Sequence, residues 1–300
     1  MLFMTVDEYA KKDNVSLQAI YDRVNQGKLG EVDLAHKTPK LVFDKDKLEK
    51  GYVIAFSNLK GGCGKTTIAC HTAALLSKVG FKVLLIDTDH QNQCESFFPE
   101  REYEYTINDV FLNNNNIKNC IYKTKTNTSF LDIIFSDYKL AIKAPEIKDR
   151  DILSKSIKEI KNQYDFIIID TSPNFDIITQ NVVRAANGII IPMIPHPLHL
   201  KGLNHNLSGL EEVAEVPTTE RILGILLNIY DRKQAIHRDT ITLLTSEESY
   251  KKMLFETVIP TDPQLPKVTL FNTTIFDFKE NSTSSQAFKK MLFEALRRIK

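Results

Sequence analysis

The chain has 300 residues, with 39 Lys and Arg against 38 Asp and Glu, a net charge of +1. Hydrophobic residues make up 42% and charged residues 26%, which excludes a disordered chain and a uniformly basic nucleic-acid binder but leaves room for a local basic patch. No run approaches the ~18–20 apolar residues of a membrane span, and the start, where Met1, Leu2, Phe3 and Met4 soon meet Asp7, Glu8, Lys11 and Lys12, lacks the regions of a secretion signal.

Residues 1–50 form a unit of short, polar-rich elements. Thr5 and Ser16 are candidate N-caps of two short helices. Val6, Tyr9 and Ala10 make one apolar face, and Leu17, Ile20, Tyr21 and Val24 make another. The pattern predicts a helix-turn-helix, with Leu41, Val42 and Phe43 as a wing strand. It resembles the small DNA-reading domain of excisionase and MerR-like proteins. The second helix would offer Gln18, Tyr21, Asp22 and Arg23 to a DNA groove. The unit's nine basic and nine acidic residues cancel. That is weak for an independent DNA binder, although dimerisation would double its phosphate contacts; a small helical module for dimerisation or partner docking is the alternative.

From residue 51 onward, apolar runs alternate with helical stretches. Strands are expected at 53–57, 82–87, 130–135, 165–170, 188–192, 222–229 and 254–259. Helices are expected at 66–79, 151–162, 176–187, 200–214, 235–250 and 284–299. Short, β-branched, continuously apolar runs suit strands covered on both faces. The alternation predicts an α/β fold, a doubly wound and mostly parallel sheet occupying 51–300, with ligands at the carboxyl ends of the strands. Residues 99–129, with the polar tract 113–116, read as a surface excursion.

The first of these strands runs into Asn58, Leu59, Lys60, Gly61, Gly62, Cys63, Gly64, Lys65, Thr66 and Thr67, and then a helix. Strand, glycine-rich turn and helix N-terminus are what a phosphate-binding loop requires. Glycines let backbone N–H groups close around phosphate oxygens, Lys65 can reach the β- and γ-phosphates, and the Thr66 hydroxyl can ligate Mg²⁺. Asp170 ends an apolar strand and can hold Mg²⁺ opposite Thr66. Asp87 and Asp89 end another strand. One suits the metal surroundings and the other can orient the attacking water.

Lys60-Gly-Gly-Cys-Gly-Lys-Thr-Thr resembles the deviant Walker A loop of the ParA/MinD group of P-loop ATPases. Residues 83–91, with Asp87, Asp89 and Gln91, resemble that group's second motif, and 164–173, with Asp170, its Walker B strand. The resemblance implies ATP with Mg²⁺ as ligands, Asp89 positioning water, Asp87 near the metal, and Lys60 crossing a homodimer interface to the partner's nucleotide. It implies base contacts after two late strands, at Asn228, Pro260 and Asp262, although these residues also favour turns. It further implies a slow, cytoplasmic, nucleoid-associated ATPase that segregates a plasmid or other low-copy replicon. The dimer would bind non-specific DNA, a ParB-like centromere-binding protein would stimulate hydrolysis, and the N-terminal module would repress its own operon.

Residues 279–300 carry six basic and two acidic groups. Phe288, Met291, Leu292, Ala295, Leu296 and Ile299 give a core-facing stripe, and Lys289, Lys290, Arg297 and Arg298 give a candidate DNA face, joined by Arg232 and Lys233 after a late strand. A MinD-like membrane ATPase would instead turn the apolar stripe to a lipid surface, with the stripe's place in the core against it. A transcriptional repressor with nucleotide-controlled oligomerisation is the other alternative. His196, His199 and His205 lack a fourth metal ligand. The four cysteines, at 63, 70, 94 and 120, form no C-x-x-C pair and read as reduced cytosolic thiols.

Overall fold

A computed structural model describes residues 1–35, 38–99, 102–113, 115–124, 130–214 and 220–300. The first 50 residues contribute β1 (Met4–Thr5), β2 (Leu29–Val32) and β3 (Leu41–Asp44), an antiparallel sheet in the order β1-β3-β2. Two helices precede β2. Val6–Asp13 is capped by Thr5 in a reciprocal capping box with Glu8, and Leu17–Asn25 is capped by Ser16. The strand expected at Leu41, Val42 and Phe43 is β3. Neither β1 nor β2 was expected.

Eight strands form the main sheet: β4 (Tyr52–Phe56), β5 (Val83–Asp87), β6 (Tyr122–Lys123), β7 (Leu131–Ile134), β8 (Phe166–Asp170), β9 (Gly188–Met193), β10 (Ile222–Tyr230) and β11 (Leu254–Pro260). Their order is β11-β10-β9-β4-β8-β5-β7-β6. Every pair is parallel except β6 with β7. The doubly wound, mostly parallel sheet is as expected. Period-2 alternation divides its two faces. Ile54, Phe56, Val83, Leu85, Phe166 and Ile168 face one core, and Val53, Ala55, Leu84, Ile86, Ile167 and Ile169 face the other.

The first core is covered by helices Lys65–Lys78 and Thr283–Arg298, whose Phe288, Met291, Leu292, Ala295 and Leu296 are buried. The second lies under helices Ile152–Lys158, Ile177–Ala185, Pro197–Ala214 and Ala235–Ser246. The helix expected over 235–250 breaks at Glu247, whose backbone is extended, and resumes as Glu248–Met253. Of the expected excursion 99–129, residues 100, 101, 114 and 125–129 lie outside the described residues. The remainder holds helix Ile107–Asn113 and the edge strand β6.

The N-terminal sheet also alternates. Val42 and Leu29 pack on its own two helices, whereas Val32, Leu41 and Phe43 join the first core of the main sheet. Phe3, Phe43, Phe81 and Phe166 run as a chain of rings with centroids 4.8, 5.7 and 5.0 Å apart. The backbone N–H of Leu2 donates to Ile299 O at 3.1 Å, and Arg297 pairs with Glu8. The two units therefore share a core across residue 50.

Candidate nucleotide site

β4 ends at Phe56 in the middle of the sheet, between β8 and β9. Residues 57–64 turn from it into helix Lys65–Lys78. Gly62 and Gly64 hold φ of +73° and +84°, a region that L side chains avoid. Open space lies where side chains on Gly61 and Gly62 would stand. The helix begins with no side-chain cap, which leaves its first N–H donors for a ligand. Cys63 is buried under the loop, its thiol 3.2 Å from Lys60 O. Lys65 is only 7% exposed, and Thr67 stands on the helix's first turn.

Two asparagines brace this loop. Asn58 accepts from the Lys60 N–H at 2.9 Å and donates to Pro192 O at 2.6 Å. Asn228 donates from Nδ2 to Cys63 O at 2.8 Å. Expected as a base contact, Asn228 instead spends this donor on the phosphate loop while lining the adjoining cleft. The next residue, Ile229, sits at φ +54° where the β10–β11 register shifts. That is an outlier for a β-branched residue.

Asp170 and Asp87 face each other across neighbouring strands, both fully buried. The Thr66 hydroxyl donates to Asp170 Oδ2 at 2.6 Å, and Asp170 Oδ1 is a buried oxygen without a partner. Burial first, then the Asp87 charge, pushes Asp170 well above the usual carboxylate range. Burial also raises Asp87, against hydrogen bonds from the Cys94 and Asp89 backbone. Two desolvated carboxylates and a spare oxygen beside a threonine hydroxyl fit a hard divalent cation. Among the described residues, Asp87, Cys94 and Asp170 are the group whose ligand atoms lie within 4.8 Å of one another. The Cys94 thiol is pushed up by burial and stays protonated.

Asp87 differs from Asp170 in its use. Its oxygens accept from Asp89 N at 2.9 Å and Cys94 N at 3.1 Å, so it ties down the loop that carries Asp89. Asp89 in turn accepts from Gln91 N at 3.0 Å. Lys60 is exposed at the loop's outer end, its chain lying against Gly202. His199 nearby is held below its ordinary value by burial and by Lys60 and His196.

Beside the loop opens a cleft of about 530 Å³, lined by Gly64, Thr67, Asn228 and Pro260, with Phe97, Ile229, Leu265 and Pro266 giving apolar walls. A purine ring suits such walls. Asp262 also lines the cleft, but its oxygens accept from Gln264 N, Ser284 N and the Ser284 hydroxyl. Burial would raise this carboxyl, and those hydrogen bonds outweigh it and hold it low. Asp262 thus organises a turn and the start of the last helix rather than presenting a free carboxylate to a base.

The candidate DNA residues divide. Arg298 donates to the carbonyls of Leu223, Met253 and Leu254, pairs with Glu294, and lies 4.2 Å over the Phe255 ring. Lys289 is 7% exposed and pairs with Glu280. Arg297 pairs with Glu8. These three hold the fold together, which corrects the expectation of an open basic face on that helix. Arg232, Lys233 and Lys290 instead line one open groove of about 830 Å³. In the N-terminal unit Tyr21 is 41% exposed, while Gln18 bonds Asp22 and Arg23 pairs with Asp13. The apolar stripe of the last helix is in the core, so it offers no face to a lipid surface. Among the described residues no helix is long and apolar enough to cross a membrane.

Residues 51–223 match a family described as AAA domain, AAA_31. The chain belongs to that family, whose members similar to it are the ParA/Soj P-loop ATPases. The chromosome-partitioning ATPase Soj of Treponema pallidum is 28% identical over 251 residues, covering 83% of this chain and 98% of that one. The sporulation initiation inhibitor protein Soj of Bacillus subtilis is 26% identical over 245 residues, covering 79% and 95%. A Borrelia burgdorferi structure described as a plasmid partition protein bound to AMPPNP superposes with a TM-score of 0.72 at 24% identity, covering 83% of this chain and 100% of that one. That likeness shows the ParA/Soj fold.

Proposed function

We propose that this ParA/Soj family member hydrolyses ATP to ADP and phosphate with Mg²⁺ and uses the cycle to segregate a plasmid or other low-copy replicon. The observation that carries the reading is the convergence of Lys65, Thr66, Asp89 and Asp170 at the carboxyl ends of adjacent strands, beside an apolar cleft. The glycine loop and helix N-terminus bind the phosphates. Lys65 neutralises charge on the β- and γ-phosphates, and Asp89, fixed through Asp87, orients the attacking water. Mg²⁺, when bound, would be held by Thr66 and Asp170 and would add charge neutralisation on the phosphate oxygens.

Lys60 reaches into a second copy's nucleotide, so that two ATP molecules close a homodimer. The ATP-bound dimer binds non-specific DNA through Arg232, Lys233 and Lys290. A ParB-like centromere-binding partner stimulates hydrolysis and releases it. The N-terminal helices, led by Tyr21, read an operator and repress the operon. The protein acts in the cytoplasm, on the nucleoid.

The test is binding to random-sequence duplex DNA with ADP, ATP or no nucleotide across a salt series. Salt-sensitive binding that needs ATP, lost in Lys60→Ala and Lys65→Ala, is expected. Replacing Arg232, Lys233 and Lys290 together with Ala should lower the slope of log K against log salt by about 2.7, since each lost phosphate contact removes ~0.9. Binding indifferent to nucleotide would overturn the reading in favour of a repressor acting through residues 1–50.

A further inference from the structure

His71 is the one histidine of the phosphate-loop helix, fully buried and outside the ATPase machinery described above. Its Nδ1 lies 2.6 Å from Thr67 O, one turn earlier, and its Nε2 accepts the backbone N–H of Ile275 at 3.0 Å. An N–H can only donate, so Nε2 carries the lone pair and the proton sits on Nδ1, donated to Thr67. The ring stacks on Phe288 at 4.7 Å and meets Phe97 and Phe276 edge-on at 5.5 and 5.7 Å. Burial keeps it neutral, lowering it to about 4.

These contacts tie together two segments that line the nucleotide cleft. Thr67 and Phe97 both line it. Ile275 follows the turn Leu265–Phe271, whose Leu265, Pro266 and Thr269 line it as well. That turn is continuous with Ile275 through the bonds of Thr273 N to Val268 O and Asn272 N to Thr269 O. Rings on three sides and both nitrogens in use leave the imidazole one position.

We propose that His71 is a positioning residue that sets the width of the cleft at its base end and so governs affinity for the nucleoside part of ATP, apart from its phosphates. The inference rests on the ATP reading of the cleft. Phosphates are held by backbone N–H groups of the loop and by Lys65, whereas His71 meets this segment at the Thr67 carbonyl, which cannot donate to a phosphate. The base is held between walls whose spacing His71 fixes.

The test is calorimetric binding of MgATP and of magnesium tripolyphosphate, which engages only the phosphate loop, to wild type, His71→Phe and His71→Gln. Phe keeps the ring packing and loses both hydrogen bonds. Gln can donate to Thr67 O and accept from Ile275 N–H. His71→Phe should weaken ATP at least tenfold and tripolyphosphate less than twofold, and His71→Gln should restore most of the ATP affinity. Unchanged ATP affinity in His71→Phe, or equal losses for both ligands, would overturn the proposal. Should His71→Phe not fold, hydrogen exchange on wild type decides. ATP should slow exchange of the Ile275 amide at least tenfold more than tripolyphosphate does, and equal slowing would overturn the proposal. A wild type that binds tripolyphosphate as tightly as ATP would sink the ATP reading itself rather than the role of His71.

Discussion

Gly64 and Asn228 are coupled, and a double-mutant cycle measures by how much. Gly64 holds φ +84°, and a Cβ there would lie 2.3 Å from Asn228 Nδ2, the atom that donates to Cys63 O. Gly64→Ala therefore carries two costs. The left-handed backbone costs an L-residue ~1–2 kcal/mol. The methyl also drives the Asn228 amide off the Cys63 carbonyl, and leaving buried polar groups unpaired costs ~1–3 kcal/mol. The single variant should lose ~2–5 kcal/mol in nucleotide-free protein, and Asn228→Ala ~1–3 kcal/mol. Both remove the same bond, so the double variant should fall short of the summed losses by ~1–3 kcal/mol. Urea unfolding of the four proteins at one pH, with equal m-values, measures this. Losses that add to within ~0.5 kcal/mol would refute the brace, because Asn228 and Gly64 would then act on the loop independently.

Phe43 lies between Phe3 and Phe81 in the shared core, so Phe43→Ala should cost ~3–5 kcal/mol in a single unfolding transition; an early, separate melt of residues 1–50 by circular dichroism would contradict the shared core. His71 is lowered to about 4 from 6.5, so the unfolded chain binds the extra proton between those values. Its share of stability is complete above pH ~6.5 and falls by ~3 kcal/mol as pH drops towards 4; urea midpoints across that range should flatten in His71→Gln. Asp170→Asn removes one charge from a buried carboxylate pair and should stabilise nucleotide-free protein by ~1–3 kcal/mol. The same change should abolish the response of ATP affinity to Mg²⁺, and titrations with and without chelator would expose the error if that response survives.

The parts of the fold legible in the sequence are those whose cause is local. β4, β5, β8 and β9 are covered on both faces, so their apolar runs are unbroken and easily read. The phosphate loop is legible because Lys60, the glycines, Lys65 and Thr66 are contiguous. β1 and β2 were not, since Met4–Thr5 and Leu29–Val32 are short and become strands only by pairing with β3. Gly30 breaks the β2 pattern for a tertiary reason: the Phe43 ring lies where its Cβ would be. The bracing roles of Asn58 and Asn228 and the strut at His71 depend on partners from 134 to 204 residues away. No local pattern announces such partners.

Charge was legible as a count but not as a destination. The last helix carries its basic residues beside the edge strand β11, where an open edge would invite pairing with another chain. Glu294 accepts the N–H groups of Glu256 and Thr257 on that strand, while Arg298 takes the carbonyls of Leu223, Met253 and Leu254. One Glu–Arg pair, four residues apart on the helix, thus satisfies both donors and acceptors of the sheet's margin. Arg298 meets three carbonyls and a ring at once, which suits the five donors and flat face of a guanidinium and would not suit a lysine. A phosphate backbone could recruit Arg298 only by stripping those carbonyls of their partner. Lys290 carries no such obligation and, with Arg232 and Lys233, lines the groove beyond the clasp. The helix therefore divides its cations, Arg298 holding the sheet edge closed and Lys290 facing the open groove.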